Sequence, residues 1–473
     1  MHDTNHDSPR QHGTTPPGGF TSAGTRISVG FISLGCAKNL VDAQLMAGNL
    51  IADGISLAPS PEEADVVLVN TCSFIKDARD ESYDSIESAC EMKRAGQCSH
   101  VVVTGCLSQR YRNDLLDQMP DVDAFVGLDE LEDVGTVIRR IVGGENRVLD
   151  VSQSPTRLYD PKVSGIVFTG GPYAYLKVAE GCNHLCSFCA IPGIRGTHRS
   201  RPMASIVKEA EDLLEMGYRE LNLISQDITF YGRDLDSGND LPALLRELGK
   251  IGGHFWIRLL YGYPSHVTDE LLEAMGDVSQ VCHYLDLPIQ HSHPDILKGM
   301  KRTETADSVR DMGPRIRSFL PDGVLRTTCL LGFPGETEDH FNHLLDYVQA
   351  TEFDHLGAFV FSPEDGTPAL DMPDRPDAEV AESRRSRLMI CQLDIVDRKL
   401  SGLIGREDQL ILEHPEAEDE TSWIGRTPRF APEVDGEVLV RNVKNGRPGA
   451  FVPVRYTAQV DYDMEAEQVG NQL

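Results

Sequence analysis

The sequence is poor in positive charge and has no long apolar segment. Lys and Arg together number 44 against 74 Asp and Glu in 473 residues, a formal net charge of -30. A chain this acidic repels phosphate backbones unless it has a local basic patch, and it attracts basic proteins. No apolar run approaches the ~20 residues of a membrane-spanning helix, so we expect a cytoplasmic protein with no membrane partner.

The first 25 residues lack the apolar core of a signal peptide. They are polar and rich in Gly, Pro, Thr and His, which is typical of a disordered tail. The chain has 11 cysteines, and in a cytosolic protein these favour thiolate chemistry over disulfides. The length predicts two or three domains.

Three cysteines with the spacing Cys-x3-Cys-x2-Cys follow an apolar, strand-like stretch. They are Cys182, Cys186 and Cys189, in the run Gly-Cys-Asn-His-Leu-Cys-Ser-Phe-Cys. Thiolates are the ligands of iron–sulfur clusters, and a short loop lets several sulfurs reach one cluster. Three cysteines are one short of the usual four ligands, so one iron is left open to bind another molecule.

The spacing of this loop allows two other interpretations. One is a structural zinc site completed by His184 or by a distant residue. Zinc sites usually come as two paired half-sites, and the sequence has no second Cys-x2-Cys. The other is a reactive disulfide, which leaves the third cysteine without a role. An iron–sulfur cluster is therefore the favoured hypothesis.

A second group of cysteines lies in residues 26–144, where short apolar runs alternate with amphipathic stretches. Buried strands are predicted at 27–32, 66–69 and 101–104, which indicates a parallel α/β sheet. Each strand is followed by a cysteine, Cys36, Cys72 or Cys106. Because the carboxyl ends of parallel strands meet at one edge, these cysteines predict a second metal centre. The remaining cysteines are expected to be packing residues, namely Cys90, Cys98, Cys282, Cys329 and Cys391.

Residues 145–171 are predicted to be a linker, and residues 172–400 a partial (β/α)6 barrel. Six strand-like runs, each with a helical stretch behind it, support the barrel. They are 173–179, 220–224, 255–260, 283–287, 325–331 and 356–361. The triple-cysteine loop follows the first strand, at the rim where barrel enzymes place their sites.

Polar and small residues at this rim are candidate cofactor contacts, because they let a ligand approach the backbone and can hold its polar groups. The candidates are Gln226, Gly332 and Glu336, together with the aromatic Phe188 of the triple-cysteine loop. A basic stretch, residues 195–201, could neutralise a carboxylate of the cofactor or the charge of the cluster. No acid or base can be assigned from the sequence.

Residues 401–468 are predicted to form a small β-barrel. Short β-like runs at 409–413, 421–426, 436–443 and 451–460 are separated by Gly, Pro and Asn, a pattern of antiparallel barrels. Residues 401–473 hold 14 Asp and Glu against 7 Lys and Arg, a net charge of -7. A module that grips RNA would be expected to be basic.

These three blocks, in this order, resemble the radical S-adenosylmethionine (SAM) methylthiotransferase family. The resemblance implies an amino-terminal cluster domain, a radical-SAM barrel and a carboxyl-terminal TRAM-like β-barrel. It implies that Cys36, Cys72 and Cys106 bind one 4Fe–4S cluster. By the same resemblance, Cys182, Cys186 and Cys189 bind a second, whose open iron is chelated by SAM. In that family the reduced cluster cleaves SAM to give a 5′-deoxyadenosyl radical.

The local sequences are most similar to the branch that methylthiolates an aspartate of small-subunit ribosomal protein S-twelve. The similarity is carried by Ser-Leu-Gly-Cys-Ala-Lys-Asn around Cys36 and by Ser-Pro-Glu-Asp-Gly-Thr-Pro from Ser362. This branch implies a basic protein substrate, an electron donor and a sulfur donor not yet identified, and a monomer. Two alternatives stay open, a tRNA adenosine methylthiotransferase and a non-catalytic iron–sulfur binding protein.

Overall fold

The computed structural model describes residues 27–158, 166–236, 238–417, 419 and 421–470. The predicted disordered tail, residues 1–25, lies outside these ranges. In the described part of the chain no helix combines the length and the apolar character that crossing a membrane requires. The described residues form two open parallel sheets with helices, and one closed β-barrel.

The first sheet has six parallel strands with helices on its faces. Its strands are β1 (Ser28–Ser33), β2 (Ser56–Leu57), β3 (Val66–Thr71), β4 (His100–Gly105), β5 (Ala124–Val126) and β6 (Val148–Asp150). Its helices are α1 (Ala37–Ala52), α2 (Lys76–Arg94), α3 (Cys106–Tyr111), α4 (Asn113–Gln118) and α5 (Val134–Val142). The order β2-β1-β3-β4-β5-β6 confirms the predicted parallel sheet, and β6 extends it into the segment predicted to be a linker.

The central strands β3 and β4 of this sheet are buried on both sides. Every residue of β3, Val-Val-Leu-Val-Asn-Thr, is buried, and so are five of the six residues of β4. Continuous apolar runs of this kind suit parallel strands that are covered by helices on both faces. The carboxyl ends of β1, β3 and β4 are neighbours, since β3 pairs with both other strands.

The central domain is the predicted open partial barrel. Its strands are β7 (Tyr173–Lys177), β8 (Ala179–Glu180), β9 (Arg199–Ser200), β10 (Glu220–Ile224), β11 (Trp256–Leu259), β12 (Val281–Asp286), β13 (Val324–Leu331) and β14 (His355–Val360). Its helices are α6 (Ile191–Arg195), α7 (Met203–Glu215), α8 (Leu241–Leu248), α9 (Asp269–Asp277), α10 (Pro294–Gly299), α11 (Thr303–Phe319), α12 (Glu338–Thr351) and α13 (Ala378–Ser401). Six parallel strands pair in the order β14-β13-β12-β11-β10-β7, and β8 and β9 form a small antiparallel pair beside them.

The carboxyl-terminal domain is a closed five-stranded barrel. Its strands are β15 (Glu407–Pro415), β16 (Trp423–Arg426), β17 (Val438–Arg441), β18 (Phe451–Val460) and β19 (Asp463–Gln468). They pair in the order β15-β16-β17-β19-β18. The barrel is the predicted one, with β19 as a further strand that closes it.

One hydrophobic cluster joins all three domains. It contains Val41 of α1, Tyr175 and Trp256 of the central sheet, and Ala431 and Phe451 of the carboxyl-terminal domain. Helix α1, which begins directly after Cys36, packs on β7, the strand that leads to the triple-cysteine loop. The two cysteine-bearing domains are therefore held against each other by a shared core.

Candidate functional site

Cys36, Cys72 and Cys106 lie together at the edge of the first sheet. Cys36 precedes α1, Cys72 follows β3, and Cys106 begins α3. Gly35 has φ +92, and a Cβ atom added there would lie 3.1 Å from the Cys72 Sγ atom, so only glycine lets the first two loops approach this closely. The pKa of Cys106 is raised to about 12, mainly by burial, while the charge of Arg195 opposes the shift and Cys72 and Cys36 contribute to it.

A buried network of charges runs from this triad to the triple-cysteine loop. Arg195 is 2% exposed, and its Nη2 donates to the Cys106 Sγ atom at 3.4 Å and to Asp42 at 2.9 Å. Its Nη1 donates to both carboxylate oxygens of Glu180, at 3.1 and 3.2 Å. Lys177 donates to Asp42 and to Glu180. Because Glu180 lies two residues before Cys182, one guanidinium links the two cysteine groups.

The triple-cysteine loop is shaped by the β8–β9 pair. Gly181 has φ +80, and a Cβ atom there would lie 2.1 Å from the backbone oxygen of Thr197. The Cys189 backbone N–H donates to the Cys186 carbonyl at 3.1 Å. Burial raises the pKa of both Cys182 and Cys189 to about 12, and the neighbouring Cys186 thiolate adds to the effect. The three thiols therefore lie close enough for the charge of Cys186 to raise the pKa of the other two.

Three side chains from other rim segments contact this loop, namely Asp227, Tyr263 and Arg302. His184 Nε2 lies 2.7 Å from Asp227, which also contacts His266 Nδ1 at 3.0 Å. The His184 ring stacks on Tyr263 with 3.7 Å between ring centroids. Arg302 donates to the Cys186 Sγ atom at 3.6 Å. The Nε2 atom of His184 is therefore paired with Asp227 and not with a cysteine thiol.

The spacing of the sulfurs argues against a single zinc ion. Three thiolates around one zinc ion stand ~3.8 Å apart, given Zn–S bonds of ~2.3 Å in a tetrahedron. In the described residues, the groups with three ligand atoms within 4.8 Å of one another consist of His and Asp, and neither holds a cysteine. A four-iron cluster is larger than one ion and takes ligands that stand further apart, so both cysteine triads fit a cluster.

Polar atoms without partners gather at the rim beside the triple-cysteine loop. In the described structure, the Ser225 Oγ, Gln226 Oε1 and His291 Nε2 atoms are buried and have no hydrogen-bond partner. The Gln226 Nε2 atom donates to Glu180 at 2.6 Å. Buried polar atoms of this kind are costly unless a ligand satisfies them, so they suit a polar cofactor such as SAM. Phe188 is half-buried against an apolar cluster with Phe333 and Phe361.

Gly332 and Glu336 are placed within one rim loop. The Gly332 backbone N–H donates to Glu336 Oε2 at 2.9 Å, and Arg384 donates to Oε1 at 2.8 Å. Burial raises the pKa of Glu336, although Arg384 opposes the shift. Both carboxylate oxygens are engaged by the protein, so Glu336 stabilises this loop.

Sequence reasoning missed several residues of the site. Within the basic stretch, only Arg195 reaches a cysteine sulfur among the described contacts, while Arg201 pairs with Glu209. Arg302 and His266 were not singled out. Each lies far along the chain from its partner, and a lone Arg or His in a loop carries no signal of such a contact.

Each of the three domains matches a known protein family. Residues 28–127 match the uncharacterized protein family UPF0004. Residues 176–348 match the radical SAM superfamily, and residues 404–469 match the TRAM domain. The same order of domains is the one expected from the sequence motifs.

A solved structure shares the fold at low sequence identity. It is the radical S-adenosylmethionine methyltransferase TsrM from Kitasatospora setae, with a TM-score of 0.56 and 16% identity over 73% of this chain and 77% of that one. At this identity the match supports the radical-SAM fold alone.

Curated relatives match nearly the whole chain under one name, ribosomal protein uS12 methylthiotransferase RimO. The relative from Syntrophus aciditrophicus is 43% identical over 94% of this chain and 99% of its own length. The relative from Geobacter sulfurreducens is 44% identical over 93% of this chain and 98% of its own length. The relative from a Synechococcus strain is 46% identical over 96% of this chain and 92% of its own length. With this identity over almost the full length, the chain belongs to the radical-SAM methylthiotransferases of the RimO family.

Proposed function

We propose that this protein transfers a methylthio group to the β-carbon of an aspartate of ribosomal protein uS12. One 4Fe–4S cluster is held by Cys36, Cys72 and Cys106, and a second by Cys182, Cys186 and Cys189. The observation that carries the proposal is the pair of cysteine triads, joined by Arg195 through contacts to Cys106 and Glu180. A reaction that passes a group from one cluster to a substrate radical formed at the other needs such fixed proximity.

When bound, SAM and the two clusters supply a radical able to take hydrogen from an unactivated C–H bond, together with the methylthio group. The chain's own residues provide position and charge. Arg195 sets a positive charge beside the first cluster site, and Arg302 sets another beside Cys186. Cys106 and Cys186 are 5% and 7% exposed, so each site has a thiol shielded from water, while Cys36 is exposed and leaves the first site open on one side.

The rim loops are suited to hold SAM against the second site. The Ser225 Oγ and Gln226 Oε1 atoms are buried acceptors without a protein partner in the described structure, and they suit an ammonium group. Phe188 offers an apolar surface next to Cys189. Gly332 and Glu336 set the course of the loop that would face the cofactor.

The charge of the chain favours a basic protein over RNA as partner. The net charge is -30, and the carboxyl-terminal barrel carries -7, from 14 Asp and Glu against 7 Lys and Arg. Such a surface attracts a Lys- and Arg-rich ribosomal protein and weakens any hold on phosphates. We place the reaction in the cytoplasm, with a monomeric enzyme that receives electrons and sulfur from separate donors.

A competition assay tests this proposal. The cluster-loaded enzyme, SAM and a reductant are offered a uS12 loop peptide and isopentenylated tRNA in one anaerobic reaction. We expect the peptide's aspartate to gain one methylthio group by mass spectrometry, with less product at high salt. A methylthio group on the tRNA alone would overturn the substrate assignment, and no product on either would favour a non-catalytic iron–sulfur protein.

A further inference from the structure

Lys38 places a buried ammonium group beside the first cysteine triad, where that domain meets the central one. The residue lies in the first turn of α1, two residues after Cys36, and is 7% exposed. Its Nζ atom stands 2.7 Å from the centroid of the Tyr261 ring, which belongs to the rim loop after β11. The ammonium therefore lies at the contact between the first cluster site and the rim of the barrel.

Unlike other buried cations of this region, Lys38 has no anionic partner. Lys177 pairs with Asp42 and Glu180, and Arg195 pairs with the same two carboxylates. Within the described part of the chain, the Lys38 ammonium contacts the face of an aromatic ring and makes no ion pair or hydrogen bond. An ammonium has three N–H donors, and leaving them unpaired in a buried place is costly. The charge therefore suits an anion that the chain itself does not supply.

The start of α1 adds to the positive charge around Lys38. The first turn of this helix has no acidic residue, and no side chain caps its amino terminus. A helix amino terminus carries a partial positive charge, so a cation placed there destabilises the helix. Burial and the helix dipole both oppose a cation at this position, which indicates a role in binding rather than in stability.

Tyr261 is fixed beside the ammonium by its backbone. It has φ +66, in the left-handed region that a bulky residue adopts at a cost. Its backbone N–H donates to Asp286 Oδ2 at 3.0 Å, and Arg326 donates to Oδ1 of the same carboxylate at 3.0 Å. Asp286 is thus engaged by these two donors, and an aromatic ring faces Lys38. A ring attracts a cation without neutralising it, so the charge stays available to a ligand.

We propose that Lys38 binds the side-chain carboxylate of the aspartate that is methylthiolated. This inference rests on the proposed function and names the residue that positions its substrate. The β-carbon of an aspartate is bonded directly to the carboxyl carbon, so an ion pair with Lys38 holds the β-carbon beside the site at Cys36. Asparagine has the same shape without the charge, and Lys38 should therefore favour aspartate over asparagine.

Peptide binding to the cluster-loaded chain tests this inference. Labelled uS12 loop peptides with Asp or Asn at the modified position are titrated with SAM present and reductant absent, and each Kd is measured by fluorescence anisotropy. Because SAM is not cleaved without reductant, the measurement does not depend on the reaction. We expect the unaltered chain to bind the Asp peptide at least about tenfold more tightly than the Asn peptide.

Substitutions at the site should remove this preference. Lys38→Met should bind both peptides with the Kd that the unaltered chain has for the Asn peptide. Tyr261→Leu, which removes the ring beside the ammonium, should reduce the preference. Lys208→Met removes an exposed lysine of α7, and as the matched control it should keep the full preference.

The same binding data show when the inference is wrong. Equal binding of the two peptides by the unaltered chain, or a full Asp preference in Lys38→Met, would overturn it. Iron is measured in every protein, because the ammonium could instead neutralise the first cluster. If Lys38→Met loses iron, Tyr261→Leu decides, and an undiminished Asp preference in that variant would overturn the inference.

Addition of reductant separates this inference from the proposed function. Methylthiolated Asp peptide from the unaltered chain, with an Asp preference that does not depend on Lys38, would overturn the role of Lys38 alone. An Asp preference that depends on Lys38, without any methylthiolated product, would support the carboxylate site and contradict the proposed function.

Discussion

Lys38 is a buried cation two residues after Cys36, and it lies over the ring of Tyr261. Burial lowers its pKa to about 8, although the Cys36 thiolate acts in the opposite direction. The free amine is therefore in balance with the ammonium near neutral pH, next to a proposed cluster ligand. In the cluster-free chain this burial costs stability.

The burial of Lys38 should make the free energy of unfolding of the cluster-free chain depend on pH. The folded chain releases the Lys38 proton near pH 8 and the unfolded chain near 10.5. Between these values the unfolded chain binds more protons, so stability rises with pH. Lys38→Met should stabilise the cluster-free chain by up to about 3 kcal/mol below pH 8, and the gain should vanish towards pH 10.5.

Urea unfolding of cluster-free Lys38→Met and of the unaltered cluster-free chain, from pH 7 to pH 10.5, measures the difference in their free energies of unfolding. Lys298→Met, at an exposed position of α10, is the control for loss of a lysine that is not buried. A Lys38→Met effect that stays constant across this pH range would contradict the lowered pKa of Lys38.

Arg195 is a buried cation whose guanidinium contacts the Cys106 sulfur of the first proposed cluster site. It contacts Cys106, Asp42 and Glu180, so its removal leaves two buried carboxylates with Lys177 as their remaining cation in this network. Removing one partner from a buried ion pair costs about 3–5 kcal/mol. Arg195→Met should therefore lower both the unfolding midpoint and the iron bound at Cys36, Cys72 and Cys106.

Iron analysis after reconstitution checks this expectation. The unaltered chain should hold about eight irons and Arg195→Met closer to four. Arg199→Met removes a side chain whose described hydrogen bonds go to backbone carbonyls, and it should keep about eight. Full iron content in Arg195→Met would show that the contact to Cys106 does not matter.

At the scale of elements, the triple-cysteine loop is held by its neighbours. Asp227 begins the turn after β10 and accepts from His184, His266 and Thr229. Burial opposes ionisation of this carboxyl, but the hydrogen bonds from His184 and His266 outweigh it and lower its pKa. The anion fixes His184, and with it the course of the loop between Cys182 and Cys186.

Asp227→Asn should loosen this loop without disturbing the first sheet. Iron at Cys182, Cys186 and Cys189 should fall, and SAM cleavage should fall with it, while iron at the other triad is kept. Asp240→Asn is the matched control, because Asp240 caps α8 and asparagine caps about as well. Equal iron and cleavage in both variants would contradict a role for Asp227 in holding the loop.

Most strands of the two parallel sheets could be predicted from the sequence. The Val-rich runs and their spacing indicated the strands that carry Cys36, Cys72 and Cys106, and the six strands of the central sheet. Strand β19 was not predicted, because Asp463–Gln468 consists mainly of Asp, Glu, Ala and Gln, and such residues have a low propensity for strands. The contacts of Arg195, Arg302 and Asp227 join distant segments, and such pairings depend on the three-dimensional packing of side chains that local pattern does not contain.

At the scale of the whole molecule, a clasp fixes the first domain to the second. Glu364, 1% exposed, follows β14 and accepts from Arg79 and from Arg110, the latter at 3.0 Å. Arg110 also donates to the Ser73 carbonyl at 2.6 Å, next to Cys72. These two ion pairs of Glu364 join the segment after Cys72 to the loop after β14.

Glu364→Gln should uncouple the two sites while leaving each one formed. Iron content and SAM cleavage should stay near those of the unaltered chain. The methylthiolated product formed per 5′-deoxyadenosine should fall several-fold, since transfer depends on distance. Glu382→Gln, at an exposed ion pair on α13, should leave this ratio unchanged, and an unchanged ratio in Glu364→Gln would show that the clasp is not needed.

We propose that the two cysteine triads perform separate halves of one reaction. The most direct measurement compares Cys72→Ala with the unaltered enzyme under anaerobic conditions with SAM, reductant and a uS12 loop peptide. Both 5′-deoxyadenosine and the methylthiolated peptide are quantified by mass spectrometry. We predict that Cys72→Ala still forms 5′-deoxyadenosine but no methylthiolated peptide. Methylthiolated peptide from Cys72→Ala at the level of the unaltered enzyme would show that the two triads do not divide the reaction in this way.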